Sequence, residues 1–268
     1  MKNKPLIVLL ILCVIMSILN DRFWTWGNII TVLRQTSINA VIATGMTFAI
    51  LIGGIDLSVG SVLAICGAIA ASMISSGYDV VLTVVLTLLL GLGIGLVNGV
   101  LISKGRLQPF IATLGTMTLL RGVTLVYTQG KPIRTTGAEE SVLFSKIGTG
   151  YFLHIPIPIY IMILVFIIAY FILRHLRIGR YIYALGSNEE ATMYSGIKTD
   201  NVKLFVYSAS GLLAALAGII VTARLSSAQP TAGAGYELDA IAAVVLGGTS
   251  MAGGIGAISG TVIGALII

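Results

Sequence analysis

The 268-residue sequence is 57% hydrophobic and only 10% charged, with a mean hydropathy of +1.03. Soluble domains carry about one-quarter charged residues, so that class is excluded and a polytopic membrane protein is indicated. The net charge of +6 is scattered between apolar runs instead of gathering on one face with aromatics, which excludes nucleic acid as a partner and reads as a topology signal.

Lys2 and Lys4 precede the first apolar run, Leu6–Leu19. No small-residue cleavage site follows before Asn20–Arg22, so the run reads as an uncleaved first span with a cytoplasmic N-terminus. Cys13 and Cys66 sit in apolar runs without CxxC or Cys/His spacing and read as packed hydrophobes. The stretch Asn20–Thr36 carries Phe23, Trp24 and Trp26, rings that favour the headgroup level, and is expected to lie along the outer surface.

Span two, Ser37–Ile52, runs into GGIDLSVGS, where Gly53, Gly54 and Gly60 bracket Asp56 and Ser58. This is a predicted helix break. Asp56 is expected to cap a helix resuming near Leu57; the alternative is an ion or substrate ligand, since carboxylates inside membranes are costly. Span three ends near Ser75 and span four covers Asp79–Ile102. Gly91, Gly95 and Gly99 form a flat ridge there for another helix.

Lys104 and Arg106 place the next turn inside. Span five, Pro109–Tyr127, carries Thr113, Thr116 and Thr124 on one face. With Asn39 of span two they are candidate pathway residues for an uncharged polyol; back-bonding to the helix's own carbonyls is the alternative. Arg121 lies near the outer boundary, within snorkelling reach. Gln129–Pro158 is expected to be an outer loop bearing Lys131 and Arg134, a landing surface for an extracytoplasmic protein.

Span six, Ile159–Leu173, leads into a long polar interruption, residues 174–203. Its Arg174, Arg177, Arg180, Lys198 and Lys203 mark it as cytoplasmic. Ser187 followed by Glu190 matches a capping box, and Gly196 can close the helix in the left-handed conformation. Asn188–Ser195 would make about two turns, suited to docking a soluble partner, though an ordinary capped loop helix has the same pattern.

Span seven is Leu204–Ala223, and Arg224–Gly235 is outer. Tyr236–Gly256 begins with Glu237 and Asp239, placed to complement a helix N-terminus. A second ridge, Gly256, Gly260 and Gly264, comes next. Residues 255–268 are fewer than the roughly 20 a span needs, so the chain is expected to be C-terminally incomplete. LIGG (51–54) and VLGG (245–248) form an internal echo.

No GxxxxGKS/T phosphate loop is present, and His154 and His175 stand apart from any carboxylate cluster. Mid-span positions are nearly all apolar, Gly or Thr, unlike an ion-coupled carrier. Transport energy is therefore expected from a partner, and no metal or cofactor is expected on this chain.

Four stretches carry a family resemblance: 38–61, 109–128, 179–197 and 223–254, among them INAVIATGMTFAILIGGIDLSVGS, GRYIYALGSNEEATMYSGI and YELDAIAAVVLGGTSMAGG. They resemble the permease subunits of bacterial ABC sugar importers of the ribose type. The resemblance implies one all-α permease domain over 1–268, a transmembrane bundle of about ten helices in full, with broken glycine-rich helices, in the bacterial inner membrane among its lipids. It implies a second permease copy, a cytoplasmic ATPase subunit holding ATP and Mg, and an extracytoplasmic sugar-binding protein. Ser187–Gly196 would be the coupling helix, with Asn188, Glu189, Glu190, Ala191 and Met193 facing the ATPase. Lys131, Arg134 and Arg224 would meet the binding protein. Ribose is the implied sugar. Xylose, galactose, allose or a furanose-like signal such as autoinducer-2 are alternatives within the family, and an ion-coupled secondary transporter is the alternative outside it.

Overall fold

The computed structural model describes residues 4–136 and 139–268. Lys2 lies outside the described residues. The architecture is helical, with α1 (Lys4–Leu19), α2 (Trp26–Leu51), α3 (Val59–Ser75), α4 (Val80–Ser103), α5 (Pro109–Thr128), α6 (Glu140–Thr149), α7 (Ile157–His175), α8 (Arg177–Ser187), α9 (Glu189–Tyr194), α10 (Thr199–Leu225), α11 (Tyr236–Leu246) and α12 (Ile258–Ile267). Two short antiparallel ladders join β1 (Ile133–Arg134) to β4 (Ser227–Ala228) and β2 (Tyr151–Phe152) to β3 (Ile155–Pro156).

The helices α4, α5, α7 and α10 are each long and apolar enough to cross a membrane. Their burial differs. α10 is the central post, lying against α2, α3 and α4, while α4, α5 and α7 present Leu, Ile and Val outward, as helices solvated by lipid do. α2 is buried from Ser37 to Leu51 except at Asn39.

Close approach of α4 to α10 depends on the first glycine ridge. A Cβ at Gly91 would lie 2.6 Å from the Gly211 carbonyl oxygen, one at Gly99 3.0 Å from the Leu204 Cα, and one at Gly95 would run into the Tyr207 carbonyl. Dispersion contacts between backbones replace the hydrophobic drive that lipid does not supply. In the second ridge, Gly260 and Gly264 press on Gly247 and Ala243 of the α11 segment, whereas Gly256 precedes α12 and lies against Thr249.

Three sequence expectations are corrected. Trp26–Thr36 is not a segment separate from span two; it is the first part of α2, one continuous helix of 26 residues. Thr25 sits at the N-cap, and no Pro interrupts the helix after it. The Gln129–Pro158 segment is not simply a loop, because α6 buries Phe144 among Ala70, Ile74, Ile219 and Ala223. Residues 174–203 contain two helices, not one. α8 buries Gly179, Ile182 and Leu185, a three-residue apolar repeat that its arginines obscured.

Candidate functional site

The α2 break forms as expected, but its chemistry is different in detail. Gly53 adopts φ +75° and the amide of Gly54 donates to the Ala49 carbonyl at 2.9 Å, closing α2 in a glycine C-cap. The next helix begins at Val59, two residues later than expected, with Ser58 as its N-cap. Asp56 Oδ1 accepts from the Ser58 amide at 3.0 Å and from its hydroxyl at 2.6 Å. The carboxylate thus shapes the turn before α3 instead of capping the helix's own amides.

Asp56 is 1% exposed and anchors a buried polar chain across three helices. Ser210 of α10 donates to Asp56 Oδ2 at 2.6 Å, Asn98 of α4 donates to Ser58 Oγ at 2.9 Å, and Thr116 of α5 donates to Asn98 Oδ1 at 2.5 Å. Buried polar groups that are fully paired specify one arrangement of their helices. Here the network holds the loop after the break to α4, α5 and α10 together. Thr113 donates to the Pro109 carbonyl at 2.8 Å and reaches the Ile55 carbonyl at 3.2 Å, and Thr124 donates to Leu120 at 2.7 Å. Asn39 Nδ2 approaches Asp239 Oδ2 at 3.5 Å, bringing α2 to α11. Arg121 is not free to snorkel: its guanidinium donates to the Ala232 carbonyl at 2.8 Å.

α9 lies at the same end as this break. A cavity of about 610 Å³ is bounded by Gly53 and Gly54, by Arg106 and Pro109 of the α4–α5 turn, and by Glu189, Glu190, Met193 and Lys203. Asn188, extended at φ −163°, caps α9 by accepting from the Ala191 amide at 2.8 Å. The expected Ser187–Glu190 capping box does not form. Ser187 is the last residue of α8, and its hydroxyl is spent on the Tyr183 carbonyl at 2.9 Å. α9 is also shorter than expected, at six residues, and ends as predicted at Gly196, φ +83°. Its exposed face carries Glu190, Ala191, Met193 and Tyr194, and Glu189 pairs with Lys203 of α10 at 2.6 Å.

α8 connects α9 to the breaks through contacts that carried no signal in the sequence. A Cβ at Gly186 would collide with the Leu51 carbonyl, at the end of α2, and would stand 2.5 Å from the Gly254 amide. That amide donates to the same Leu51 carbonyl at 2.9 Å. Tyr183 donates to the Gly256 carbonyl at 2.9 Å. The last turn of α8 is therefore clamped between two glycine breaks, one after α2 and one after α11.

The two breaks share a short sequence. GGIDLSVGS (53–61) and GGIGAISGT (253–261) share their glycines and isoleucine at a separation of 200 residues, the separation of the Asn39–Asp239 contact. At a different offset, 195 residues, the helix ends resemble one another: Gly248 adopts φ +89°, and the Thr249 amide donates to the Val244 carbonyl at 3.2 Å, as Gly54 does to Ala49. The LIGG/VLGG echo, at a separation of 194 residues, falls one residue from the helix-end match and six from the GGI match.

At the opposite end, the β1–β4 ladder sets Arg134 beside Ser227, close in sequence to Arg224. Lys131 and Arg134 are exposed and Arg224 is half-buried. The three expected binding-protein contacts thus share one end of the bundle.

Residues 28–268 match the family model described as branched-chain amino acid transport system / permease component. The chain is 59% identical to the ribose import permease protein RbsC of Haemophilus influenzae, covering 100% of this chain and 83% of that protein. It is 58% identical to the ribose import permease protein RbsC of Bacillus subtilis, over 100% of this chain and 82% of that protein. Identity to the D-allose transport system permease protein AlsC of Escherichia coli is 40%, over 98% of this chain and 79% of that protein. No solved structure matches it. The glycine-broken helices, the apolar outer helices and these matches together place the chain in the permease family of the branched-chain amino acid transport system type, to which it belongs.

Proposed function

We infer that this protein is the membrane-spanning permease subunit of an ATP-driven ribose importer, and that it couples through α8 and α9 to a cytoplasmic ATPase holding ATP and Mg. The observation that carries the coupling is the placement of α9 on one cavity with the α2 break, while α8 is clamped between both breaks. A push on α9 passes through packed backbone to the end of α2 and to the glycine break that precedes α12. Such a rigid connection can bias two alternative packings of the bundle.

In this reading the protein lies in the bacterial inner membrane with its N-terminus and residues 174–203 cytoplasmic. A second copy completes the pathway, and Lys131, Arg134 and Arg224 meet a sugar-binding protein outside. Asn39, Thr113, Thr116 and Thr124 line the pathway in the alternate packing. Ribose is favoured over allose by the higher identity to the ribose permeases.

The test is ATP hydrolysis by the reconstituted full-length permease with its ATPase and binding protein. Ribose-loaded binding protein is expected to stimulate hydrolysis and allose-loaded protein to leave it near basal. Hydrolysis indifferent to sugar, or transport abolished by uncouplers, would defeat the importer reading. Within the coupling site, Glu189→Lys is expected to lower ribose-stimulated hydrolysis several-fold, and Lys203→Glu added to it to restore most of the loss. The pair is partly exposed, so its effect on global stability should stay below about 1 kcal/mol. A double variant no better than the single would remove this ion pair from the mechanism.

A further inference from the structure

A second cavity, of about 580 Å³, opens between α7, α8 and the start of α12. Tyr170, Leu173 and Arg174 of α7, Arg180 and Tyr183 of α8, and residues 256–259 form its wall. Two guanidinium groups face this space and no carboxylate lines it. Among the described residues the ion pair found is Lys203–Glu189, so the structure gives Arg174 and Arg180 no anionic partner. The floor is the N-terminus of α12, ten residues long, whose N-cap position, Ala257, offers no side-chain acceptor to the first amides. Every charged or dipolar feature of the cavity thus favours an anion.

The rest of the wall says what the anion is attached to. Ile163, Ile167 and Tyr170 are 46%, 60% and 53% exposed, and with Arg174 they recur at intervals of four, three and four residues along one face of α7. From Ile163 to Arg174 this apolar stripe is about 16 Å long, roughly one leaflet of a bilayer's hydrocarbon. It ends at the arginines. α8, which supplies Arg180, is polar on its outer face and apolar on its inner one, the pattern of a helix lying at a membrane boundary.

We propose that this cavity is a binding site for an anionic phospholipid, whose phosphate sits between Arg174, Arg180 and the α12 N-terminus and whose acyl chain lies along Ile163, Ile167 and Tyr170. Guanidinium groups engage phosphate oxygens in a bidentate fork, and basic pockets between membrane helices are suited to such headgroups. Because α8 is also the clamp on both glycine breaks, an occupied site would steady that clamp from its lipid side. The lipid site does not depend on which sugar is carried or on which partner α9 meets.

The test uses purified full-length permease in detergent, with thermal unfolding and native mass spectrometry as readouts. Phosphatidylglycerol is expected to raise the unfolding temperature and to stay bound, and phosphatidylcholine of the same chains is not. Retention should weaken about five-fold for each arginine removed, in Arg180→Gln alone and further in Arg174→Gln/Arg180→Gln. Should the double variant fail to fold, Arg180→Gln, on an exposed position of α8, still decides the matter. Equal retention of both lipids, or phosphatidylglycerol retention unchanged by Arg180→Gln, would overturn the site. Stabilisation reproduced in full by inorganic phosphate would overturn the lipid assignment, leaving a site for a free anion.

Discussion

Gly95→Leu is expected to prevent stable folding, whereas Gly93→Leu, two residues away on the same helix, is expected to be nearly silent. A Cβ at Gly95 would meet the Tyr207 carbonyl and come within 3.0 Å of the Ser208 Cα, while one at Gly93 meets nothing within 4 Å. The obstacle at Gly95 is backbone of the central helix, which cannot rotate away as a side chain can. Relief requires α4 to separate from α10, and with it Asn98 from Ser58 and the whole buried chain to Asp56. Overpacking in a well-packed core costs about 1–3 kcal/mol, and loss of the Asn98 contacts adds about 1–3 kcal/mol for a buried group left unpaired. Monodispersity and unfolding temperature in detergent measure this directly. If the two variants behave alike, α4 does not approach α10 along this ridge.

The second large effect is expected at Asp56. Asp56→Leu removes the acceptor of three hydrogen bonds and leaves the Ser58 amide, the Ser58 hydroxyl and the Ser210 hydroxyl to find others inside the bundle. At about 1–3 kcal/mol for each buried group left unsatisfied, the loop between α2 and α3 should lose its defined shape and transport should be abolished. Asp56→Asn keeps an acceptor for the Ser58 amide and can donate to Ser210, whose hydroxyl can reverse its role. It is expected to retain most transport. Uptake measured in vesicles with equal amounts of each permease separates the cases: if Asn fails as completely as Leu, negative charge at this position matters more than the hydrogen-bond geometry.

These two residues also show how unevenly the structure was readable in advance. The ridge Gly91, Gly95, Gly99 was visible because a four-residue glycine spacing has one geometric meaning on a helix. Which helix it touches was not, since Gly211 and Tyr207 of α10 lie more than a hundred positions further along the chain. Asp56 stood out as a carboxylate beside a glycine break, and its local turn with Ser58 was close to expectation. Its tie to Ser210, and the extension through Asn98 to Thr116, joins four segments that carry no shared motif. The threonines of α5 were legible from their spacing, but what holds their hydroxyls was not: carbonyls of their own helix, the Ile55 carbonyl and Asn98.

The polar stretch 174–203 divides in the same way. Gly196 announced the end of α9, because a left-handed residue after a short polar helix is a local matter of backbone sterics. The start was misassigned by one residue: α8 extends through Ser187, and this decides that Asn188 and not Ser187 is the cap. Gly186 carried no local signal at all, as it lies within a helix with nothing in its neighbourhood to require glycine. Its reason is the Leu51 carbonyl, which reaches it only in the folded bundle. Composition, hydropathy and glycine spacing were enough to indicate a polytopic membrane protein with a broken helix, since each depends on the solvent or on a few adjacent dihedrals, while the permease reading came from the resemblance of four longer stretches to a family. The clamp of α8 on two glycine breaks, the Glu189–Lys203 pair and the two arginines beside α12 arise from tertiary packing, because a periodic sequence states which face of a helix is apolar or small and does not state what that face will meet.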